Sequence, residues 1–243
     1  MPDRPLLALT ARLVAGRVRS GPAAPAVLAV LAGLTGLFWI QSSYRAALAA
    51  FFFFSPYVFL FATADLVWSD SASGALESPL FLHGRFRSYL MLKAPLVSAL
   101  AAGEVLALFL FLVAAGLARG EFGMPDIVRF LAALSAGAYY AALGGLLGTR
   151  FRAGSNVLVV LLAQAAFLAA GIAAASSHSS WLDILDPGPM NAAARLRFAA
   201  VTSVFPNLAV FPARHGYAVE CAALAVLAFA GFVSRVRGRE LGR

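Results

Sequence analysis

The stretch AALAAFFFFSPYVFLFATADLV, residues 46–67, contains one charged side chain, Asp65, in 22 positions. A helix needs about 20 consecutive apolar residues to cross the hydrocarbon core of a bilayer. Because that core offers no water to the backbone, a spanning segment must pair its own N–H and C=O groups, as an α-helix does. The stretch therefore predicts a transmembrane helix.

The rest of the chain repeats this character. Of its 243 residues, 61% are hydrophobic and 12% are charged, whereas soluble domains have about 45–50% apolar and about 25% charged residues. The composition predicts an all-α membrane protein in which residues 1–243 form a single transmembrane domain. The six candidate spans are 23–41, 46–67, 95–117, 128–148, 156–175 and 216–234.

The basic residues alternate between the two sides of these six spans. A net charge of +8 would suggest nucleic acid as the partner of a soluble protein. In a membrane protein it indicates anionic lipid and the excess of Arg and Lys in cytoplasmic loops. The side with more basic residues is therefore predicted to be cytoplasmic, with both termini on it. Its thirteen are Arg4, Arg12, Arg17, Arg19, Arg85, Arg87, Lys93, Arg150, Arg152, Arg235, Arg237, Arg239 and Arg243.

Two further segments are predicted to lie at the membrane surface. Residues 5–20 are too polar to span, but Leu6, Leu9 and Leu13 share one helical face. This pattern is typical of an amphipathic helix on the inner leaflet, with a disordered basic tail as the alternative. On the other side, the extracytoplasmic loop 176–215 includes an apolar stretch too short to cross, so we expect a re-entrant or interfacial segment before the sixth span.

The sequence lacks the motifs of several enzyme classes. There is no phosphate-binding G-x-x-x-x-G-K-[ST] loop, because the single lysine, Lys93, is followed by Ala94. Three dispersed histidines and one cysteine, Cys221, give neither a metal-ligand spacing nor a disulfide. We therefore interpret the chain as a conduit or scaffold, not an enzyme, with no metal or cofactor of its own.

Three polar residues in the spans are candidates for a translocation path or a subunit seam. Glu104 lies near the middle of the third span, where a charge costs about 2.5–3.5 kcal/mol on insertion scales. The alternative is a carboxyl group satisfied by a neighbouring polar group. Asp65, near the cytoplasmic end of the second span, can also reach the interface. Gln164 in the fifth span is expected to form an interhelical hydrogen bond.

The fourth span contains small residues at a helical spacing. Such residues let two helices approach closely, so we expect internal packing, with an inter-subunit seam as the alternative. The spaced sets are Gly137, Ala141 and Gly145, and Gly144 with Gly148.

The second span begins with an aromatic run, from Phe51 to Phe54, followed by Tyr57. Tyrosine and tryptophan concentrate at membrane–water interfaces, which favours an aromatic belt at the outer interface. A stacking platform for sugars or drugs is the alternative.

A polar loop, residues 70–92, joins the second and third spans on the predicted cytoplasmic side. Ser78 followed by Pro79 has the form of a helix N-cap with proline at the first helical position. The loop is therefore predicted to hold one short helix parallel to the membrane. We expect Arg85, Arg87 and Lys93 to anchor the start of the third span at the headgroups. An ordinary cytosolic connector with these basic anchors is the alternative.

This loop resembles that of the membrane subunits of type 2 bacterial ABC exporters, whose usual pattern runs G-T-L-E, then S/T-P-L, then a basic residue and an apolar run ending in G-K. Residues 74–77, Gly-Ala-Leu-Glu, match the opening, and Lys93 falls at the family's lysine. Pro79 departs from the pattern, because it lies several residues before the family's proline. The resemblance also covers the amphipathic start, the six spans and the length of the chain.

The resemblance implies the permease subunit of an exporter in the bacterial cytoplasmic (inner) membrane. The loop would be a coupling helix that docks on a separate ATPase subunit, which would hold ATP and magnesium. Two permease subunits, identical or different, would form the pathway for a lipophilic or amphiphilic substrate. The residues that this implies for the docking surface are Gly74, Leu76, Glu77, Leu80, His83 and Arg85.

Other functions stay open at the level of the sequence. A proton-coupled secondary transporter would use Glu104, although no inverted repeat is evident. The haem-exporting membrane subunit of cytochrome c maturation has a similar size and number of spans. A non-transporting scaffold or assembly factor is a further alternative.

Overall fold

The computed structural model describes residues 8, 10–12, 14, 23–40, 43–64, 66–67, 86–151, 153–175, 192–208 and 217–241. Over this part of the chain the secondary structure is helices and turns without β-strands, so the all-α prediction is confirmed there. The elements are α1 (Ala23–Ile40), α2 (Tyr44–Thr63), α3 (Phe86–Arg119), α4 (Met124–Gly148), α5 (Ala153–Ala175), α6 (Ala192–Thr202), a 3-10 turn (Pro206–Leu208) and α7 (Tyr217–Leu241).

Five of the helices in the described residues are long and apolar enough to cross a membrane. They coincide with the second to sixth predicted spans, as expected for a multi-pass membrane protein. Helix α1 lies at the first predicted span and is not among the five, although its 18 residues include no charged side chain. The five are Tyr44–Thr63, Ser88–Arg119, Met124–Gly148, Gly154–Ala175 and Tyr217–Val236.

Helix α2 packs against α1, α3 and α4. Phe51 of α2 is fully buried and stacks on Phe109 of α3, with ring centroids 5.9 Å apart. Phe109 stacks in turn on Phe130 of α4 at 4.1 Å. Tyr57 is buried as well. The predicted aromatic belt is therefore wrong for Phe51 and Tyr57, because the neighbouring helices supply partners that hold these rings inside the protein.

The contact between α2 and α4 depends on glycines. A Cβ atom on Gly148 would lie 2.8 Å from the carbonyl oxygen of Ala64, and one on Gly144 would lie 2.9 Å from another carbonyl oxygen of α2. At Gly137 the added atom would collide with the ring of Phe59. The predicted internal packing of these small residues is therefore confirmed, since they let α4 approach the backbone of α2.

A charged network ties the starts of α2 and α4 together at what we name the Arg45 end of the bundle. Arg45 Nη1 lies 3.2 Å from Asp126 Oδ1, and Arg129 Nη1 lies 3.3 Å from the same oxygen. Asp126 is fully buried, and its Oδ2 accepts the backbone N–H of Gly123 at 3.1 Å. The carboxylate of Asp126 thus caps the start of α4 and holds the start of α2 beside it.

The long helices alternate in direction along the chain. At the Arg45 end, Arg119 near the end of α3 lies over the ring of Trp39 near the end of α1, 4.3 Å from the ring centroid. At the opposite end, named the Lys93 end, Lys93 near the start of α3 bonds the carbonyl of Leu66, just beyond α2. Asn156, near the start of α5, donates a hydrogen bond to the carbonyl of Ala64 at the same end. Helix α1 therefore begins, and α7 ends, at the Lys93 end.

Some boundaries differ from the sequence prediction. Helix α3 begins at Phe86, so residues 86–92 of the predicted coupling loop continue the third helix. Before α7, helix α6 packs on α5, and the buried 3-10 turn packs against α2 and α4. Of the predicted interfacial helix 5–20, residues 8, 10–12 and 14 are described and helical, and the others lie outside the described residues.

Candidate functional site

A cavity of about 500 Å³ lies between α1, α2 and α5. The described residues that line the cavity are apolar except for Tyr57 of α2 and Gln164 of α5. This volume falls in the range of small-molecule sites, which are mostly apolar with a few placed polar groups. The apolar lining includes Val30, Leu34, Phe54, Phe61, Leu161 and Leu168.

The rim of the cavity lies at the outside of the bundle. Val30 of α1 is 63% exposed and Leu161 of α5 is 44% exposed, whereas Gln164 is buried. A molecule that enters between α1 and α5 therefore meets aliphatic and aromatic side chains first. It meets hydrogen-bonding groups only at the inner wall.

Tyr57 and Gln164 belong to a buried polar cluster, which we define as Tyr57, Tyr140, Gln164 and Asn207. The hydroxyl of Tyr57 donates to Oε1 of Gln164. Nε2 of Gln164 donates to the hydroxyl of Tyr140 and to Oδ1 of Asn207, the latter at 3.1 Å. The hydroxyl of Tyr140 donates to the same Oδ1. The polar cluster thus joins α2, α4, α5 and the 3-10 turn.

The hydrogen bonds of the polar cluster are mutually consistent. Both amide hydrogens of Gln164 have acceptors, and Nδ2 of Asn207 donates to the carbonyl of Phe53 at 3.4 Å. Buried polar groups hold a defined geometry when their partners are all present. The inner wall of the cavity is therefore preorganised, with its phenol and carboxamide in set positions.

The local sequence explains how Asn207 reaches the interior. Asn207 lies in the 3-10 turn between Pro206 and Leu208. Both apolar neighbours are buried, and they hold Asn207 in the interior. On the facing helix, Pro56 has no backbone N–H, so the carbonyl of Phe52 lacks its helical hydrogen bond and the turn before Pro56 is loosened. The carbonyl of Phe53, in that turn, accepts the hydrogen bond from Asn207.

A phenol and a carboxamide bind and orient polar groups without carrying charge. Among the described residues that line the cavity none is charged, and an unpaired buried charge costs several kcal/mol. The arrangement therefore suits a molecule whose apolar body fills the cavity and whose uncharged polar group bonds near Tyr57 and Gln164.

Of the predicted polar candidates, Gln164 belongs to this site and Glu104 does not. The predicted interhelical hydrogen bond of Gln164 is confirmed. Glu104 lies midway along α3 and does not line the cavity. Its Oε2 is buried and has no hydrogen-bond partner within the described residues. The predicted candidates outside the described residues are Asp65, Gly74, Leu76, Glu77, Leu80, His83 and Arg85.

Lys93 is placed differently from the prediction. Its side chain does not reach the headgroups, because it is fully buried and its Nζ donates to the carbonyl oxygen of Leu66 at 2.8 Å. The last carbonyls at a helix end lack intrahelical donors and attract cations. The carbonyl just beyond α2 is thus an acceptor inside the protein that replaces water and headgroups.

Sequence reasoning missed Tyr140 and Asn207, and it assigned Tyr57 to a belt. One local signal was available, because Tyr57 follows Pro56 and Asn207 follows a proline in a segment that reads as apolar. Irregular backbone at membrane depth is tolerated where it is buried in protein or lines a cavity, so polar side chains beside such prolines are candidates for interior hydrogen bonds. Tyr140, inside a regular helix, carries no comparable signal.

Comparison of the chain with protein-family models, with curated proteins and with solved structures gives no match.

Proposed function

We propose that the chain is the permease subunit of an ABC transporter that exports a lipophilic or amphiphilic substrate across a bacterial cytoplasmic (inner) membrane. The observation that carries the proposal is the cavity, which is apolar, faces outward between α1 and α5, and ends at the buried polar cluster. Such a lining favours molecules that already partition into a membrane.

The proposal includes six spans with both termini in the cytoplasm. Helix α1 has 18 residues, which give about 27 Å of helix, close to the thickness of the hydrocarbon core. Its antiparallel packing beside α2 supports counting it as a span. The Lys93 end would then be the cytoplasmic face, in keeping with the larger number of basic residues on that side.

ATP would act from a separate ATPase subunit, since the sequence has no phosphate-binding loop. The proposed coupling helix lies between α2 and α3 along the chain, in the part of loop 70–92 that precedes Phe86. Because α2 forms one wall of the cavity, force on this loop has a direct route to a bound substrate. A second permease subunit, the same chain or another, would complete the pathway.

Co-expression with an ATP-binding protein encoded beside the gene tests the proposal. We expect the two proteins to copurify and to hydrolyse ATP at a rate that a lipophilic substrate stimulates. Glu77→Lys and Gly74→Pro should abolish the stimulation while membrane insertion persists. The matched control is the same charge change at Glu220, in the first turn of α7. Failure of the two proteins to associate would contradict the proposal.

A second candidate function, proton-coupled transport, is favoured by one observation. Glu104 places a carboxyl group midway along a spanning helix, with one oxygen buried and unpartnered within the described residues. Such residues often carry protons in transporters. Transport that needs no ATP, responds to a proton gradient and is lost in Glu104→Gln would support this function over the first.

A further inference from the structure

The complete burial of the Lys93 side chain requires an explanation. The side chain is 0% exposed, and its Nζ lies 2.8 Å from the carbonyl oxygen of Leu66 and 5.4 Å from the ring centroid of Tyr89. Lysine is almost never fully buried unless it is paired, because removing an ammonium group from water is costly. Lys93 is therefore held by polar partners inside the protein, and the carbonyl of Leu66 is one of them.

The contact with Leu66 joins the two helices on either side of the proposed coupling loop. Leu66 lies before the loop, and Lys93 lies about two turns into α3, which begins at Phe86. The hydrogen bond from Lys93 thus connects the first turns of α3 to the exit of α2. A displacement of the loop must therefore move both helices together or break this bond.

The exit of α2 is held from other directions as well. Asn156 of α5 donates from Nδ2 to the carbonyl oxygen of Ala64 at 2.7 Å. Val67 is buried in a cluster with Tyr89 of α3 and Phe232 of α7. These contacts leave little freedom for Ala64, Leu66 and Val67 to move independently of the helices around them. Force delivered there is carried into α2 as a rigid element.

Helix α2 then leads directly to the cavity. Phe61, a cavity residue, lies five positions before Leu66, and Tyr57 lies one helical turn further on. The path from Lys93 to the cavity wall therefore consists of the Lys93–Leu66 bond, the short segment just beyond α2 and about the last two turns of α2.

We propose that Lys93 is a positioning residue that couples movement of the loop to movement of the cavity wall. This inference rests on the proposed function, because it assumes that an ATPase subunit displaces the loop. It adds a specific transmission element, outside the docking surface and outside the cavity.

The test compares Lys93→Met with Ser98→Ala, a control that removes a hydroxyl bonded within α3. In the complex with the ATPase, Lys93→Met should retain assembly and basal ATP hydrolysis, while ATP-driven transport falls about tenfold or more. In the chain alone, hydrogen exchange of the backbone amides at residues 64–67 should rise about tenfold, without a rise across the rest of α2. Ser98→Ala should change neither quantity.

Two results would overturn the inference. One is transport at the unsubstituted level in Lys93→Met. The other is a parallel loss of assembly, basal hydrolysis and exchange protection throughout the chain, which would indicate a general structural role. If Lys93→Met does not fold, Lys93→Leu, which also removes the donor, is measured in the same way, and failure of both variants to assemble also counts against the inference.

The exchange measurement separates this inference from the proposed function. The exchange experiment uses the chain without any ATPase. A complex that shows no ATP-driven transport would therefore contradict the proposed function, while the effect of the Lys93–Leu66 bond on exchange could still be measured. Unchanged hydrogen exchange at residues 64–67 in Lys93→Met would contradict the role of the Lys93–Leu66 bond even if the complex transports.

Discussion

Replacing Gly144 by alanine tests whether α2 is held on α4 by close approach of the two backbones. A Cβ atom at this position would lie 2.9 Å from the carbonyl oxygen of Leu60 and would collide with Oγ1 of Thr63. A helical carbonyl cannot rotate away, so α2 itself must shift, and overpacking of this kind costs about 1–3 kcal/mol. The shift would also move the cavity wall that α2 forms.

The matched control is Gly103→Ala, because a Cβ atom there has no neighbour within 4 Å. Alanine favours a helix over glycine by about 0.8–1.0 kcal/mol, and both variants gain this term. The difference between the two variants therefore isolates the packing cost of about 1–3 kcal/mol. For chains of this size, that cost predicts that Gly144→Ala melts roughly 2–12 °C below Gly103→Ala.

The chain supplies its own unfolding reporter. Cys221 is the single cysteine and is fully buried, so a thiol-reactive dye labels it only as the protein unfolds in detergent. Thermal melts of the two variants, followed by this label, give the difference directly. Equal melting temperatures, or a higher one for Gly144→Ala, would refute the close approach of α2 and α4.

Three further predictions concern the cavity wall and the Arg45 end. Asn207→Ala removes three hydrogen bonds, and at about 0.6 kcal/mol for each interhelical bond the dye-labelling melt should report a loss of about 2 kcal/mol. Tyr57→Phe removes the phenol oxygen facing the cavity, which can only accept because its hydrogen is donated to Gln164, so the affinity for a lipophilic probe with an uncharged hydrogen-bond donor should fall about 2- to 12-fold in a fluorescence titration. The same titration with a pure hydrocarbon probe should show no change, and equal losses for both probes would contradict the role of the hydroxyl. Asp126→Asn should lower the melting temperature more than Arg45→Gln does, because Asp126 is fully buried while Arg45 is 58% exposed. An exposed pair contributes only about 0–1 kcal/mol, so the opposite order would contradict the described network.

The membrane character of the chain follows from composition and run length alone, because spanning a bilayer constrains both strongly. The second to sixth predicted spans coincide with long apolar helices. Internal packing at Gly137, Gly144 and Gly148 was also predictable, since small residues four apart have few roles in a spanning helix other than close approach. Gln164 was predictable for a similar reason, since an amide in an apolar helix needs a partner.

The composition of the site was not predictable, because its members meet only through tertiary packing. Tyr57 and Gln164 are separated by 107 positions along the chain, and Asn207 and Phe53 by 154. No periodicity reports which helices become neighbours. Lys93 was misplaced for a related reason: a basic residue at a span end usually reaches water, and only the fold reveals a carbonyl within reach inside the protein.

The central claim is that ATP, acting through a separate subunit, drives a lipophilic substrate along a path that includes the cavity. The most direct measurement is uptake of a lipophilic fluorescent substrate by sealed proteoliposomes that contain the chain and its ATPase, with the ATPase facing outward. We predict uptake that requires ATP, persists when a protonophore collapses the proton gradient, and persists in Glu104→Gln. Uptake that proceeds without ATP, stops with the protonophore and is lost in Glu104→Gln would contradict the claim and support proton coupling.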